Sequence, residues 1–330
     1  MITIATHLSE RSDSKGYRVR LLKEIAALNP GLHIIFILDS PRIKLQGLPS
    51  NCTVNVTGPR VRNKLLKRYY YQFKIPALLL RYDVSVFIPD GAPVVKLDAK
   101  QYMVNEGRIP KQDIRFLSGI ITPRETETGS PVKDQNVITV LPGAHSTIVP
   151  YSYDEKIKVL DELTGGDEFF VTHFAKNSIN DFMAVMKAYS NFRKWQRSAM
   201  KLVIIYEDAV QELIESKLST YKYRFDVILR AEEELERIMP AGYAFIDTSK
   251  EIYNALNAFA SHVPVITLHT NRFEEAVLKA TADETSISDK MMVLYKDEIQ
   301  RQQLISTGSL IPEKYNWRTG IGRLLHLMER

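Results

Sequence analysis

Apolar and polar positions follow two periods that take turns along the chain. Short, nearly continuous apolar runs at residues 2–5, 33–38, 52–56, 83–88, 101–104, 119–122 and 137–141 predict buried strands. Between the first two, Leu21, Leu22, Ile25 and Leu28 mark one face of a helix over Tyr17–Leu28, which stops at Asn29-Pro30-Gly31. The pattern breaks over residues 142–153 and then restarts. Strand-like runs at 168–173, 201–206, 225–229, 243–246 and 263–268 alternate with helical stripes. Those stripes are Phe182, Val185, Met186 and Tyr189; Val210, Leu213, Ile214 and Leu218; a short helix over 232–239; and Ile252, Ala255, Leu256 and Phe259. A last stripe of Trp317, Ile321, Leu324, Leu325 and Met328 closes the chain. Strands that alternate with helices predict an α/β protein with parallel sheets covered on both faces.

The length of 330 residues is about twice that of a typical domain, so two doubly wound, Rossmann-like domains with a cleft between them are expected. The boundaries expected are 1–150, 151–312 and a terminal helix, 313–330, that returns to the first domain. Hydrophobic content of 45% with 25% charged residues excludes a disordered or collagen-like chain. One cysteine, Cys52, excludes a disulfide framework and a paired-cysteine metal site and fits a reducing compartment. No apolar run is long enough to span a bilayer, and the first residues lack a basic, apolar leader, so a soluble, cytoplasmic chain is expected.

Charge is uneven. Residues 1–150 hold 21 Lys and Arg against 12 Asp and Glu, whereas the remainder holds 23 against 27. The densest part contains Arg60, Arg62, Lys64, Lys67, Arg68 and Lys74 with no acid, interleaved with Leu65, Leu66, Tyr69, Tyr70, Tyr71 and Phe73. It reads either as a solvated helix face or as a patch for anionic lipid headgroups or a charged glycan, with peripheral contact at the inner face of a membrane. No nucleic-acid-binding module accompanies it.

The sequence contains no G-x-G-x-x-G, no G-x-x-x-x-G-K-[ST], no H-E-x-x-H and no G-x-S-x-G. Seven scattered histidines give no metal-ligand spacing.

Several segments, in order, resemble the retaining family 4 ("group 1") glycosyltransferases of GT-B fold. Phe169-Phe-Val-Thr-His-Phe-Ala-Lys-Asn177 is similar to the family's strand and Lys-Asn loop, and Leu202-Val-Ile-Ile-Tyr206 to its next strand. Residues 235–246 follow the family's "Leu-x-x-Leu-Tyr-x-x-Ala-x-x-Phe-Val". Ala260-Ser-His-Val-Pro-Val-Ile-Thr267 resembles "Ala-x-Gly-x-Pro-Val-Ile-Thr", and Tyr315-Asn-Trp317 resembles "Tyr-x-Trp". In the first half, Ser14-Lys-Gly-Tyr-Arg18 resembles the "Gly-Ile-Gly-Arg" loop, and Val137-Ile-Thr-Val-Leu-Pro-Gly143 resembles "Ile-x-Val-Ile-Pro-Asn-Gly".

The resemblance implies metal-independent glycosyl transfer, with no cofactor, from a nucleotide-sugar to an envelope polysaccharide or lipid-linked glycan. It makes Lys176 the cation for the departing diphosphate and Gly16 the point where backbone approaches phosphate; otherwise the two are a solvated residue and a helix-preceding turn. Tyr206, Arg230, Ser249, Glu251 and Asn257 are the further nucleotide-side positions. Asn105 and Glu106 stand where the family has His-Asp. Ser249 and Asn257 align with the two acids of Glu-x7-Glu, Glu251 being the first acid only if a small deletion is allowed. Ile252-Tyr253-Asn254 replaces the glycine turn, which a β-branched residue is expected to disturb. Glu207 or Glu251 could supply a carboxylate and His173 a second donor. With these changes a second reading stands beside the first: a catalytically degenerate homologue acting as a binding or regulatory partner, with weak or absent turnover.

Overall fold

A computed structural model describes residues 2–10, 16–58, 64–90, 94, 97–104, 116–123, 137–269 and 272–329. These residues form two compact units, one of 1–142 with 316–330 and one of 143–315. Asn105 and Glu106, as well as Ser14, Lys15, Arg60 and Arg62, lie outside the described residues.

The first unit is built on seven parallel strands: β1 (Thr3–Leu8), β2 (His33–Leu38), β3 (Cys52–Val56), β4 (Val86–Ile88), β5 (Lys100–Val104), β6 (Gly119–Thr122) and β7 (Val137–Thr139). Their order is β3-β2-β1-β4-β5-β6-β7. β1 is buried along its whole length and β2 at all but its first residue, as central strands covered on both faces must be. The predicted helix forms over Tyr17–Leu28 and buries Leu21, Leu22 and Ile25. A second helical run, Lys64–Tyr69, a π-turn at Tyr70–Lys74 and Ile75–Arg81, packs Tyr70, Tyr71, Ile75 and Leu79 against Ala5, Ile35, Ile37 and Phe87. The terminal helix, Trp317–Glu329, belongs to this unit: Trp317 stacks on Tyr17 with ring centroids 5.5 Å apart, and Lys100 Nζ donates to the Met328 carbonyl at 3.0 Å. Gly320 lets this helix lie against β7's continuation, since a Cβ there would sit 2.8 Å from Val140 Cα.

The second unit has six parallel strands: β8 (Phe169–Phe174), β9 (Lys201–Tyr206), β10 (Val227–Ala231), β11 (Ala244–Asp247), β12 (Val265–Thr267) and β13 (Val277–Lys279), in the order β10-β9-β8-β11-β12-β13. Side chains alternate between two cores. Phe170, Leu202, Ile204 and Ile246 face the helix Phe182–Gln196 and the helix Glu284–Lys296. Phe169, Val171, Val203, Ile205 and Phe245 face the helices Tyr153–Thr164 and Tyr253–Ala260. Ser152 caps the helix Tyr153–Thr164 in a reciprocal box with Glu155.

Three expectations shift. The run at 225–229 starts two residues late: Arg224–Asp226 is a 3₁₀ turn and Phe225 is exposed, its ring under the Arg224 guanidinium. Leu213, placed on a buried stripe, faces outward, while Ile214 and Leu218 carry the packing of Gln211–Leu218. Residues 269–312, which carried no strand expectation, contain β13, too short for period 2 to show.

Candidate functional site

In both sheets the strand order reverses direction about the first strand, between β1 and β4 and between β8 and β11. Loops leaving the carboxyl ends of strands on either side of such a point diverge to opposite faces, and a crevice opens there. In the second unit, register pairs His173 with Ile205, Ile246 with Thr172 and Asp247 with Thr267, so β8, β11 and β12 end together.

Lys176 lies two residues past β8, exposed, and no ion pair of its side chain is found among the described residues. Its backbone is fixed: the Lys176 N–H donates to Glu207 Oε2 at 3.3 Å, and the Glu207 N–H donates to the Phe174 carbonyl at 3.0 Å. Ser178 Oγ accepts from the Ala175 N–H at 3.0 Å and holds the loop's first turn. Tyr206 is the last residue of β9, half-buried against the core. Arg230 lies on the edge strand β10, its Nη1 donating to the Leu229 carbonyl at 2.8 Å and its Nε 3.6 Å from Glu234 Oε1.

Beyond β11 the chain turns tightly. Thr248 Oγ1 donates to the His173 carbonyl at 2.8 Å, tying β11's exit to β8. Ser249 Oγ accepts the Glu251 N–H at 2.9 Å, and Asp247 Oδ1 accepts the Ser249 N–H at 3.0 Å. Ile252 then stands at the start of the helix Tyr253–Ala260 with φ −86°. No residue from 248 to 254 has a positive φ among the described residues, so this turn forms without the glycines of the family pattern. As a β-branched residue at the glycine position implies, no left-handed turn is made here: Ile252 keeps ordinary dihedrals, and its side chain lies in the core cluster that includes Leu235 and Leu256. Its N-cap residue, Ile252, makes no side-chain cap hydrogen bond.

Three buried polar side chains beneath the turn escaped the sequence reading or were only half seen. Asn254 Nδ2 donates to His173 Nδ1 at 3.2 Å, which leaves the ring proton on Nε2, 3.7 Å from Glu232 Oε1. Asp247 is fully buried, its Oδ2 has no hydrogen-bond partner, and burial pushes its carboxyl up to about 7 against the lowering effect of the Ser249 N–H. An acid at the end of an otherwise apolar strand was the available signal.

The structure thus gathers Lys176, Tyr206, Ser249 and Glu251 at one end of one sheet, with Arg230 on the edge strand. Asn257 lies one turn farther along the helix, buried, and its Oδ1 accepts the His145 N–H at 2.9 Å. Gly16 belongs to the first unit, where it precedes the helix Tyr17–Leu28 at φ −66°, a conformation open to any residue. The first unit has its own polar group at the equivalent point. Arg18 Nη2 lies 3.1 Å from Asp90 Oδ1, Ser9 Oγ donates to Asp90 Oδ2 at 3.1 Å, and His7 Nδ1 is 3.2 Å from Tyr71 Oη. Among the described residues no cluster of three or more His, Cys, Asp or Glu is placed to hold a metal.

No protein-family model matches the sequence, and no curated protein matches it. Solved structures match over the whole chain. A glycosyltransferase from Rickettsia africae ESF-5 superposes with a TM-score of 0.69 at 9% identity, covering 99% of this chain and 98% of its own. HepE from Anabaena, solved with UDP and glucose, gives 0.69 at 11% identity and 100% of both chains. A UDP-N-acetylglucosamine 2-epimerase gives 0.60 at 12% identity, covering 98% of this chain and 94% of its own. At these identities the likeness is one of fold: two Rossmann-like units in the GT-B arrangement of elements. The expected fold class holds.

Proposed function

We propose that the chain binds a nucleotide-sugar at the carboxyl edge of the second sheet and passes its glycosyl group to an envelope polysaccharide or lipid-linked glycan, in the manner of the retaining family 4 enzymes. What supports the reading is that an exposed cation, Lys176, and the start of the helix Tyr253–Ala260, whose N-cap residue supplies no side-chain cap, both follow the strands that flank the β8–β11 switch point. In such a transfer the bond from the anomeric carbon to the diphosphate oxygen breaks, and its electron pair leaves with the diphosphate. An ammonium and a set of helix amides are the groups that stabilise that charge without a metal. The acceptor hydroxyl supplies the new bond and loses its proton. Glu251, within the turn, and Glu207, whose Oε2 accepts the Lys176 N–H, are the carboxylates offered to the reaction, and Ser249, Tyr206 and Arg230 are the remaining groups offered to the nucleotide. In the first unit, Asn105 and Glu106 replace the family's His-Asp, with hydrogen bonding in place of imidazole titration, and Gly16 is the point where backbone would approach phosphate.

Uridine nucleotides are the first probes, since HepE was solved with UDP and the epimerase takes a UDP-sugar. Calorimetric titration with UDP, GDP and ADP should give one binder, whose affinity falls about tenfold or more in Lys176→Ala, the loss expected for one charge-assisted contact. Unchanged affinity would refute the site. Ser249 and Asn257, where the family has two carboxylates, favour the second reading of a degenerate homologue, because losing one transition-state donor alone costs roughly 10²–10³ in rate. Chromatography of UDP-sugar incubations decides between them: free nucleotide with a glycosylated acceptor marks the transferase, a changed sugar still on UDP marks an epimerase, and binding without product marks the degenerate form.

A further inference from the structure

The helical run from Lys64 to Arg81 is apolar on two faces. Its inner face fills the first unit's core with Tyr70, Tyr71, Ile75 and Leu79. Its outer face carries Leu65, Tyr69, Phe73 and Leu80, which are 78%, 52%, 63% and 83% exposed. Leu65, Tyr69 and Phe73 repeat every four residues, which sets them on one face, and the rings of Tyr69 and Phe73 lie 5.8 Å apart. A single exposed leucine is ordinary on a protein surface; four large apolar side chains in one row are not. Nothing among the described residues covers them.

What surrounds the stripe identifies its occupant. From residue 58 to 82 the sequence has seven Lys and Arg and no Asp or Glu. Arg68 and Arg81 are exposed beside the stripe, and Lys74 is held at its edge by a hydrogen bond from Nζ to the Gly58 carbonyl, over the Tyr70 ring. A protein partner would need a long acidic and apolar groove to satisfy both features. A bilayer with anionic headgroups satisfies them at once: phosphates take the cations, and the acyl boundary takes the leucines and rings. A tyrosine suits that boundary, its ring meeting the apolar side and its hydroxyl the polar side. No helix among the described residues is long and apolar enough to cross a membrane.

We infer that residues 64–81 form an in-plane anchor that inserts Leu65, Tyr69, Phe73 and Leu80 into the surface of an anionic bilayer. The anchor extends the patch expected at Arg60 to Lys74 by about two turns, Ile75–Arg81, and makes it a wedge of apolar side chains rather than a purely electrostatic contact. For its purpose, bringing the enzyme to a lipid-linked acceptor, it rests on the function proposed above; the binding itself does not.

The test is flotation of the full chain with phosphatidylcholine vesicles, with and without phosphatidylglycerol. Wild type should float with the anionic vesicles and retain part of that binding at about 0.5 M salt, where headgroup attraction is screened. The triple variant Leu65→Ser, Phe73→Ser, Leu80→Ser should lower the partition coefficient about 100-fold, and Arg68→Gln with Arg81→Gln about tenfold at low salt. Urea unfolding followed by Trp317 fluorescence, which reports on the first unit, should stay at the wild-type midpoint; that shows the variants fold and keeps this test independent of the nucleotide site. Absence of flotation, or equal flotation of the triple variant, would overturn the inference. So would a concentration-dependent dimer that the triple variant abolishes in the absence of lipid, which would make a second copy the occupant.

Discussion

Asp247 offers a direct measurement of how the candidate site is held. A carboxyl group sealed in the protein with one hydrogen bond and a bare Oδ2 binds its proton more tightly than in the unfolded chain, about 7 against 3.8. The folded state therefore carries one more proton than the unfolded state between those values. Stability contributed by this group is greatest at low pH and is lost as pH rises through the folded value. Integrated from pH 5 to pH 8, the loss is about 2–3 kcal/mol. Asp247→Asn keeps an acceptor for the Ser249 N–H but cannot ionise. At pH 5 the variant should be less stable by about 1–2 kcal/mol, because its amide N–H group has no buried acceptor. At pH 8 it should match or exceed the parent. The chain has two tryptophans, Trp195 in the second unit and Trp317 in the first, so a Trp317→Phe background leaves urea unfolding of the second unit to be read by Trp195 fluorescence. A difference between parent and variant that is the same at both pH values would refute the picture of a neutral, buried carboxyl beneath the turn.

Other substitutions test the scaffold around the site. Asn257→Ala removes the acceptor for the His145 N–H and should cost the second unit about 1–3 kcal/mol in the same unfolding assay; no loss would show that the clamp is not formed. Gly320→Ala puts a Cβ 2.8 Å from Val140 Cα and should destabilise the first unit by about 1–3 kcal/mol, followed by Trp317 fluorescence. Ser152→Ala breaks the reciprocal cap with Glu155 and should lower the second unit's stability by about 1 kcal/mol, with Ser152→Thr restoring most of it.

Local pattern determined a good deal of this protein. The runs 33–38, 52–56, 119–122 and 201–206 are strands at the residues their periodicity marks, and the helix Tyr17–Leu28 begins and stops where its stripe and its Asn-Pro-Gly signal place it. Period 2 and period 3.6 are properties of neighbours along the chain, so a sequence displays them without help from packing. The alternation also contained the parallel, doubly wound architecture, because strands joined by helices have few other ways to bury both sheet faces. Lys176 was marked by the resemblance of its loop to the Lys-Asn loop of the family, and the fold puts it two residues past β8.

Tertiary structure decided the rest. That Asp247 is sealed, that Asn254 reaches His173, and that Asn257 holds the His145 backbone depend on pairs 81 and 112 residues apart or on burial that no window of sequence contains. The turn at 248–252 shows the same limit. A β-branched residue in place of glycine argues against a left-handed turn, and the chain does pass this point at ordinary dihedrals; that the core takes the Ile252 side chain is visible only in the fold. The stripe of Leu65, Tyr69, Phe73 and Leu80 is the converse case. In sequence it is indistinguishable from a core face, because both faces of the helix are apolar, and only the packing of Tyr70, Tyr71, Ile75 and Leu79 beneath β1, β2 and β4 determines which one remains in contact with water.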